Sequence, residues 1–266
     1  GKGAIIIASA KGNVSVIPAP RYVGSQEVKP VAREAIVGEA LPHGSTIITG
    51  VNSEADLLLT TGSLAKVGPN SKLVLSAFWQ KDFRASAKKV TDLKEETSPS
   101  RVAFKLETGD LVVEVKKLNR ESSFMIESPV GVAGIRGTQF GLSADASSTE
   151  LAVLEGLVGF LDANQKAKRV ATAQKVAGSQ AGAGEVEALA DSEKADLAKA
   201  VADSQESASE YDLARLANTV DGFAAKPNYI VKSALNMELI WCPPGSFIMG
   251  PGQGNDSPAH PVILTK

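Results

Sequence analysis

Between Ser128 and Leu161, brief runs of Val, Ile, Leu and Phe are set off by single glycines. That pattern restricts the chain to short strands joined by tight turns or bulges. Gly131, Gly134 and Gly137 recur every three residues. Such spacing suits a strand that bends sharply, because glycine accepts backbone angles that a Cβ forbids. Thr138 to Leu142 reads as a strand with Phe140 and Leu142 alternating against Gln139 and Gly141. Glu155-Gly156 reads as a turn or bulge between two more strands, Glu150 to Leu154 and Leu157 to Leu161.

Upstream the same grammar continues. Ala4 to Ser9 and Asn13 to Ile17 form a hairpin pattern around Lys11-Gly12, and the segment Pro18 to Pro42 is looser. Ile47 to Thr49, Glu54 to Thr60, Leu64 to Val67 and Lys72 to Phe78 follow as strands, punctuated by Gly50, Gly62 and Gly68-Pro-Asn-Ser71. Trp79 to Arg101 is charged, poor in apolar residues and carries Pro99. It reads as an exposed insertion, part helical, with a recognition loop as the alternative. Phe78, Trp79 and Phe83 at its entrance read as packed. Strands resume at Val102 to Glu107, turn at Thr108-Gly109-Asp110, continue to Lys116, and fade near Val170 to Val176. Lys116, Lys117 and Arg120 read as solvated charges.

Composition changes at Gly178. The stretch to Gly184 is linker chemistry, and Glu185 to Asp221 is rich in Ala, Glu, Asp, Lys and Leu at helical spacing. This predicts one helix, or two broken near Ser204 to Ser209, acting as a spacer that lies partly on its neighbours. The expected organisation is a β domain over 1–178, linker and spacer over 179–235, and a short incomplete segment over 236–266.

Two blocks carry resemblances. Ser128-Pro-Val-Gly-Val-Ala-Gly-Ile-Arg-Gly-Thr-Gln-Phe140, with Val153-Leu-Glu-Gly-Leu-Val158 after it, resembles the second half of an FecR domain. Gly44 to Gly50, Ser53 to Leu59, Gly62-Ser63 and Gly68 to Leu73 resemble its first half, so the likeness runs from about Ala40 to Leu161. Ser128 stands where that family usually has Thr. The resemblance implies a mainly β, solenoid- or sandwich-like domain of short strands. It marks Gly62, Gly68, Pro69, Asn70, Gly109, Pro129, Gly131, Gly134, Arg136, Gly137, Thr138, Phe140, Glu155 and Gly156 as motif residues with structural roles. It also implies a periplasmic or otherwise extracytoplasmic setting and a protein or cell-envelope ligand as partner. The family's cytoplasmic anti-sigma segment and transmembrane helix are not visible, which leaves sensing or binding as the expected role.

Asn236 to Gly250, followed by Ser257 to Leu264, resembles the opening of a formylglycine-generating (sulfatase-modifying) domain, with Pro244-Gly245 in place of the usual Gly-Gly. The chain stops at Lys266, and the copper-binding cysteines that this resemblance implies belong further on. Cys242 matches none of them and reads as a small buried hydrophobe. His260 matches a family histidine and reads as structural.

Other classes are disfavoured by residue counts. A net charge of −2 gives no reason to expect nucleic acid. A single cysteine excludes an internal disulfide, and His43 and His260 lie too far apart in sequence to suggest a metal site. No apolar run approaches the roughly 18–20 residues of a membrane span. No signal peptide is visible, but the chain opens Gly-Lys-Gly rather than Met, so the compartment is not read from that. No nucleophile elbow, phosphate loop or metalloprotease pattern occurs. Gly134 to Thr138 opens onto a strand rather than a helix N-terminus and reads as an architectural turn, with Arg136 paired to Glu155 or Glu127 or turned to solvent. No catalytic residue and no cofactor is expected in these 266 residues. The expected function is a non-catalytic, FecR-type sensing or protein-interaction module within a longer protein. The alternative is a targeting or regulatory domain of a formylglycine-generating oxidase whose catalytic part lies elsewhere.

Overall fold

The computed structural model describes residues 3–23, 26–28, 30–225, 230–232, 238–240, 245–249 and 260–264. In chain order the first strands are β1 (Ile5–Lys11), β2 (Val14–Ile17), β3 (Arg21–Val23), β4 (Gln26–Val28), β5 (Arg33–Glu34), β6 (Ala40–Leu41), β7 (Thr46–Thr49), β8 (Glu54–Leu59), β9 (Leu64–Val67) and β10 (Lys72–Gln80). After a short 3-10 helix at Val90–Asp92 come β11 (Ser100–Glu114), β12 (Ser123–Ser128), β13 (Gly131–Ile135), β14 (Gln139–Ala144), β15 (Ser148–Glu155) and β16 (Leu157–Asp162). The chain continues with β17 (Ala167–Ala171), β18 (Gln174–Ser179), β19 (Gly182–Ala183), β20 (Glu187–Ala188), α1 (Asp191–Ser207) and α2 (Leu213–Ala225). Last are β21 (Ile230–Lys232), β22 (Glu238–Ile240), β23 (Gly245–Met249) and β24 (His260–Leu264).

Two compact units result. The larger comprises residues 1–20 and 29–223; the smaller comprises 21–28 and 224–266. In the smaller unit β3–β4, β21–β22 and β23–β24 each form an antiparallel pair. Cys242 lies outside the described residues, as does the side chain of His260.

The larger unit is a sandwich of two sheets that share one strand. One sheet, here sheet A, runs β5-β2-β7-β10-β11-β12-β13-β16-β17. The other, sheet B, runs β6-β1-β8-β9-β11-β14-β15-β18, with β19 and β20 on the outer side of β18. All neighbours are antiparallel except β11 and β12. Strand β11 serves both sheets. Its first half pairs with β10, and Gly109 to Glu114 pairs with β14. Thr108-Gly109-Asp110, expected as a turn, is therefore the crossing point of a continuous strand.

The crossing is possible because residue 109 is glycine. Its φ is +93°, and a Cβ there would sit 2.1 Å from Ser71 Oγ. Ser71 Oγ accepts the Asp110 N–H at 2.9 Å, and the Gly68 N–H donates to Asp110 O at 2.8 Å. The Gly68-Pro-Asn-Ser71 turn, with Asn70 at φ +52°, thus braces the strand where it changes sheets.

Inner faces of both sheets fill one core. Phe78, Phe104, Phe124 and Phe160 from sheet A meet Ile5, Leu57, Phe140 and Leu151 from sheet B. Sheet A alternates buried and exposed positions, as β12 and β16 show. That is the signature of one solvated face. In sheet B, β8 is buried from Ala55 to Leu59 and all of β9 is buried. Its outer face carries a second cluster, in which Ile6, Leu58 and Leu64 meet Val90, Ala208, Tyr211 and Leu216.

That second cluster revises two expectations, and the open face of sheet A a third. The 81–99 segment is not an exposed excursion. Val90 is buried, and main-chain bonds run from Val90 N–H to Tyr211 O and from Leu213 N–H to Lys88 O, both at 3.1 Å. Glu96, also buried, accepts from the Asn119 N–H at 2.7 Å and from the Ser100 and Ser122 hydroxyls. The helices are two, separated at Ala208–Asp212, where Asp212 caps α2 by accepting the Arg215 N–H at 2.8 Å. Rather than only leaning on its neighbours, the helical segment closes the outer face of sheet B. Finally, Phe78 is buried but Trp79 is 50% exposed on the open face of sheet A.

Strands also persist beyond Val176. The stretch Gly178 to Gly184, expected as a linker, is the β18–β19 hairpin. Its hold is the Asp162 carboxylate, which accepts the Ala183 N–H at 2.9 Å on one oxygen and the Asn164 and Lys166 N–H groups on the other. Those bonds, the Ala183 one foremost, draw the Asp162 pKa below the ordinary carboxylate range.

Gly109→Val is expected to lower stability by about 2–5 kcal/mol, summing backbone strain and a clash with Ser71, read as a shift in urea midpoint. Asp162→Ala should open the 178–184 hairpin to limited proteolysis while residues 100–160 stay resistant. Asp162 has a depressed folded pKa, so its contribution is full above the unfolded value of about 3.9 and fades as pH falls through the folded one. Wild-type nicking at 178–184 should therefore rise only in acid, in an acid-active protease assay.

Candidate functional site

The motif residues gather at two joints and one sheet face. At the first joint, already described, Gly68, Pro69 and Asn70 stand beside Gly109. The second lies where the bend at Arg136-Gly137, shorter than the expected Gly134–Thr138 turn because Gly134 and Ile135 belong to β13, meets Glu155-Gly156. Gly137 has φ +92°, and a Cβ on it would lie 2.9 Å from Lys117 Cα. Thr138 and Val115 exchange main-chain bonds of 3.1 and 2.9 Å. Gly156, at φ +100°, approaches so closely that a Cβ would meet Thr138 Cγ2 at 2.4 Å and Gly137 O at 2.9 Å. Glu155 pairs with Gln139 across the sheet, and Phe140 enters the core.

Arg136 is exposed and donates to Asn119 O at 3.0 Å. It pairs with neither expected carboxylate; that of Glu127 lies 3.5 Å from Lys105 Nζ instead. The other motif glycines sit apart. Gly62, at φ +89°, touches Leu93 of the insertion, and Gly131, after Pro129, lies against Phe160. Gly134 faces Gly159 across sheet A with open space where side chains would stand.

A polar cluster that the sequence reading missed lies under α1. Asp56 on β8 is 1% exposed. It accepts hydrogen bonds from Ser9 at 2.6 Å, Ser204 at 2.6 Å and Ser207 at 2.8 Å, and Lys66 Nζ stands 3.0 Å away. Burial pushes this carboxyl up, but the Ser204 and Ser9 hydroxyls and the Lys66 ammonium outweigh it and hold the pKa below the ordinary range. Beside it Lys116, expected to be solvated, is buried and meets Glu114 at 3.0 Å, and Gln205 of α1 donates to Glu114 at 3.1 Å. The available signal was a single charge inside each of two apolar runs, Ala55-Asp56-Leu57 and Ala65-Lys66-Val67.

The outer face of sheet A is the third feature. Register places Ala77, Ala103, Met125, Gly134 and Gly159 in one row across it. Met125 and Leu157 are exposed on that face. Trp79 tilts against His43 with ring centroids 5.4 Å apart, above an open groove formed with Lys81, Pro99, Arg101 and Glu121. Lys81 and Glu121 pair at 2.8 Å. Among the described residues no three or more His, Cys, Asp or Glu stand together as a metal site, and no helix is long and apolar enough to cross a membrane.

Residues 45–159 match the family model described as FecR protein. That span runs from β7 into β16 and contains both joints. No curated protein matches the chain. Two crystal structures of a candidate anti-sigma factor from Parabacteroides distasonis ATCC 8503, at 1.65 and 2.50 Å resolution, align at 12% identity with a TM-score of 0.38. The alignment covers 53% of this chain and 57% of that one, so the chain spans little more than half of those structures.

Gly137→Val is expected to cost about 2–4 kcal/mol, because a β-branched residue at this φ is strained and would press on Lys117. Arg136→Ala should cost no more than about 1 kcal/mol, its bond being exposed. Parallel urea melts separate the two; a Gly137→Val midpoint equal to wild type would remove the architectural role of the joint.

Proposed function

We propose that this chain is a non-catalytic sensing and protein-interaction module of the FecR type, extracytoplasmic in setting and one part of a longer protein. The observation that supports this is the family match over residues 45–159, which falls wholly within the two-sheet sandwich. Its buried charges serve the fold: Asp56 faces Lys66, Glu114 faces Lys116, and Glu96 is held by serines and a main-chain amide. What the sandwich offers a partner is the uncovered face of sheet A, where Trp79, Met125 and Leu157 lie exposed among small residues. Exposed aromatic and Met side chains of this kind are enriched at recognition surfaces.

The test is cross-linking of the intact protein in its native envelope, with cross-linked peptides mapped by mass spectrometry. Adducts should concentrate at Lys81 and Lys105 on sheet A, and Met125→Glu should reduce them about tenfold while leaving the melt unchanged, as expected for a central interface residue. Adducts spread evenly over the surface, or unmoved by Met125→Glu, would contradict the reading.

A second reading rests on the C-terminal resemblance. Gly245–Met249 and His260–Leu264, which carry the resemblance to a formylglycine-generating domain, pair as antiparallel strands. Under it the sandwich would recruit or regulate an oxidase that converts a sulfatase cysteine to formylglycine. Cys242, the only cysteine in the sequence, cannot supply a copper-binding pair, so that chemistry would belong to cysteines outside these 266 residues. Copper-dependent turnover of a sulfatase-derived cysteine peptide by the native full-length protein would favour it over the first.

A further inference from the structure

We infer that α1 is a reversible cover on sheet B, latched by Asp56 and able to open between two fixed ends while the sandwich stays folded. The inference goes beyond the proposed function and needs no partner. Of α1's side chains only Val201 and Ser204 are fully buried, and Leu197 sits in the gap left by Gly141, where a Cβ would lie 2.7 Å from Leu197 Cδ2. Polar contacts flank these. Ser204 and Ser207, three residues apart and so on one face, reach Asp56; Gln205 reaches Glu114; Glu193 pairs with Lys175 at 2.7 Å.

Beneath these contacts Asp56, Lys66 and Lys116 are buried, with Glu114 nearly so. Burying charges in this way contributes little net stability, because the attraction between partners is offset by lost hydration. When α1 lifts, those groups regain water, so the open state is penalised far less than if the interface were apolar.

The two ends of α1 differ from its middle. Behind it, Ala208, Tyr211 and Leu216 lock onto Ile6, Leu58, Leu64 and Val90, and three main-chain bonds tie 211–214 to the 86–90 segment. Ahead of it, Leu189 is buried and its N–H donates to Ala173 O at 2.9 Å. Apolar pins at both ends, with a span between them whose only fully buried side chains are one valine and one serine, define a segment that opens locally, below the free energy of global unfolding. Opening would present the Asp56–Lys66 and Glu114–Lys116 pairs on the outer face of sheet B, a surface absent from the closed form.

Hydrogen–deuterium exchange on the full chain decides this, with α1 amides 195–205 followed beside those of β11 and β14. In wild type the α1 amides should exchange at least about a hundredfold faster than the sheet amides, the mark of sub-global opening. Asp56→Asn and the double variant Ser204→Ala/Ser207→Ala should each accelerate α1 a further tenfold or so and leave β11 and β14 unchanged, since each removes charge-assisted bonds of the latch. If Asp56→Asn does not fold, the serine variant carries the test alone. Equal protection of α1 and the sheet in wild type, or α1 rates unmoved by the serine variant, would overturn the inference.

Discussion

One strand passing from one sheet to the other at Gly109 is the constraint on which this sandwich depends. The first half of β11 is central in sheet A and the second half central in sheet B. A side chain at 109 would collide with Ser71, whose hydroxyl is also what receives the next amide of the strand. The Gly68–Ser71 turn and the crossing are therefore one device. From it the chain extends outward in both sheets: β10, β7, β2 and β5 on one flank of sheet A, β12, β13, β16 and β17 on the other. Sheet B mirrors this with β9, β8, β1 and β6 opposite β14, β15 and β18. The second joint, at Gly137 and Gly156, sets the first outward step beyond the centre.

The two outer faces solve the problem of water differently. Sheet A leaves its face open and populates it with small residues, isolated charges and a few large apolar groups. Sheet B is covered by the helical segment and the 81–99 insertion, which hold one another through main-chain bonds. Under that cover the chemistry is graded. Near Ile6, Leu58 and Leu64 it is apolar and closely packed, whereas near Asp56 and Lys66 it is ionic. The same cover is thus fixed in one part and labile in another, and the difference traces to two charged residues in otherwise apolar strands.

Strand positions, the turn at Gly68–Ser71 and the helical composition after Glu185 were all legible from periodicity and glycine placement. These features are local: each is dictated by residues within a few positions of one another. The Thr108-Gly109-Asp110 triplet has the composition of a turn, and only the tertiary partner Ser71 makes it a crossing. Gly178 to Gly184 has the composition of a linker, yet Asp162, some twenty residues earlier, captures its main chain. Arg136, expected to meet a carboxylate or solvent, is exposed and also donates to the Asn119 carbonyl, a partner seventeen residues earlier in the chain. The Asp56 cluster was the hardest to foresee, since its donors come from positions 9, 204 and 207. The run Ile5-Ile6-Ile7 did hold a clue: with no polar alternation, it fits a strand buried on both faces.

That run also bears on how the protein is made. Strand β1 lies between β6 and β8, and the outer side of Ile6 is closed by residues 208–216, which leave a ribosome long after it. About two hundred residues must be synthesised before it is covered, which at roughly 5–20 residues per second takes some ten to forty seconds. During that interval a β-branched, uncharged segment stands ready to pair with any passing strand edge. Early pairing of β1 with β8, whose last residue is only some fifty positions further on, shortens the interval during which that edge stands open.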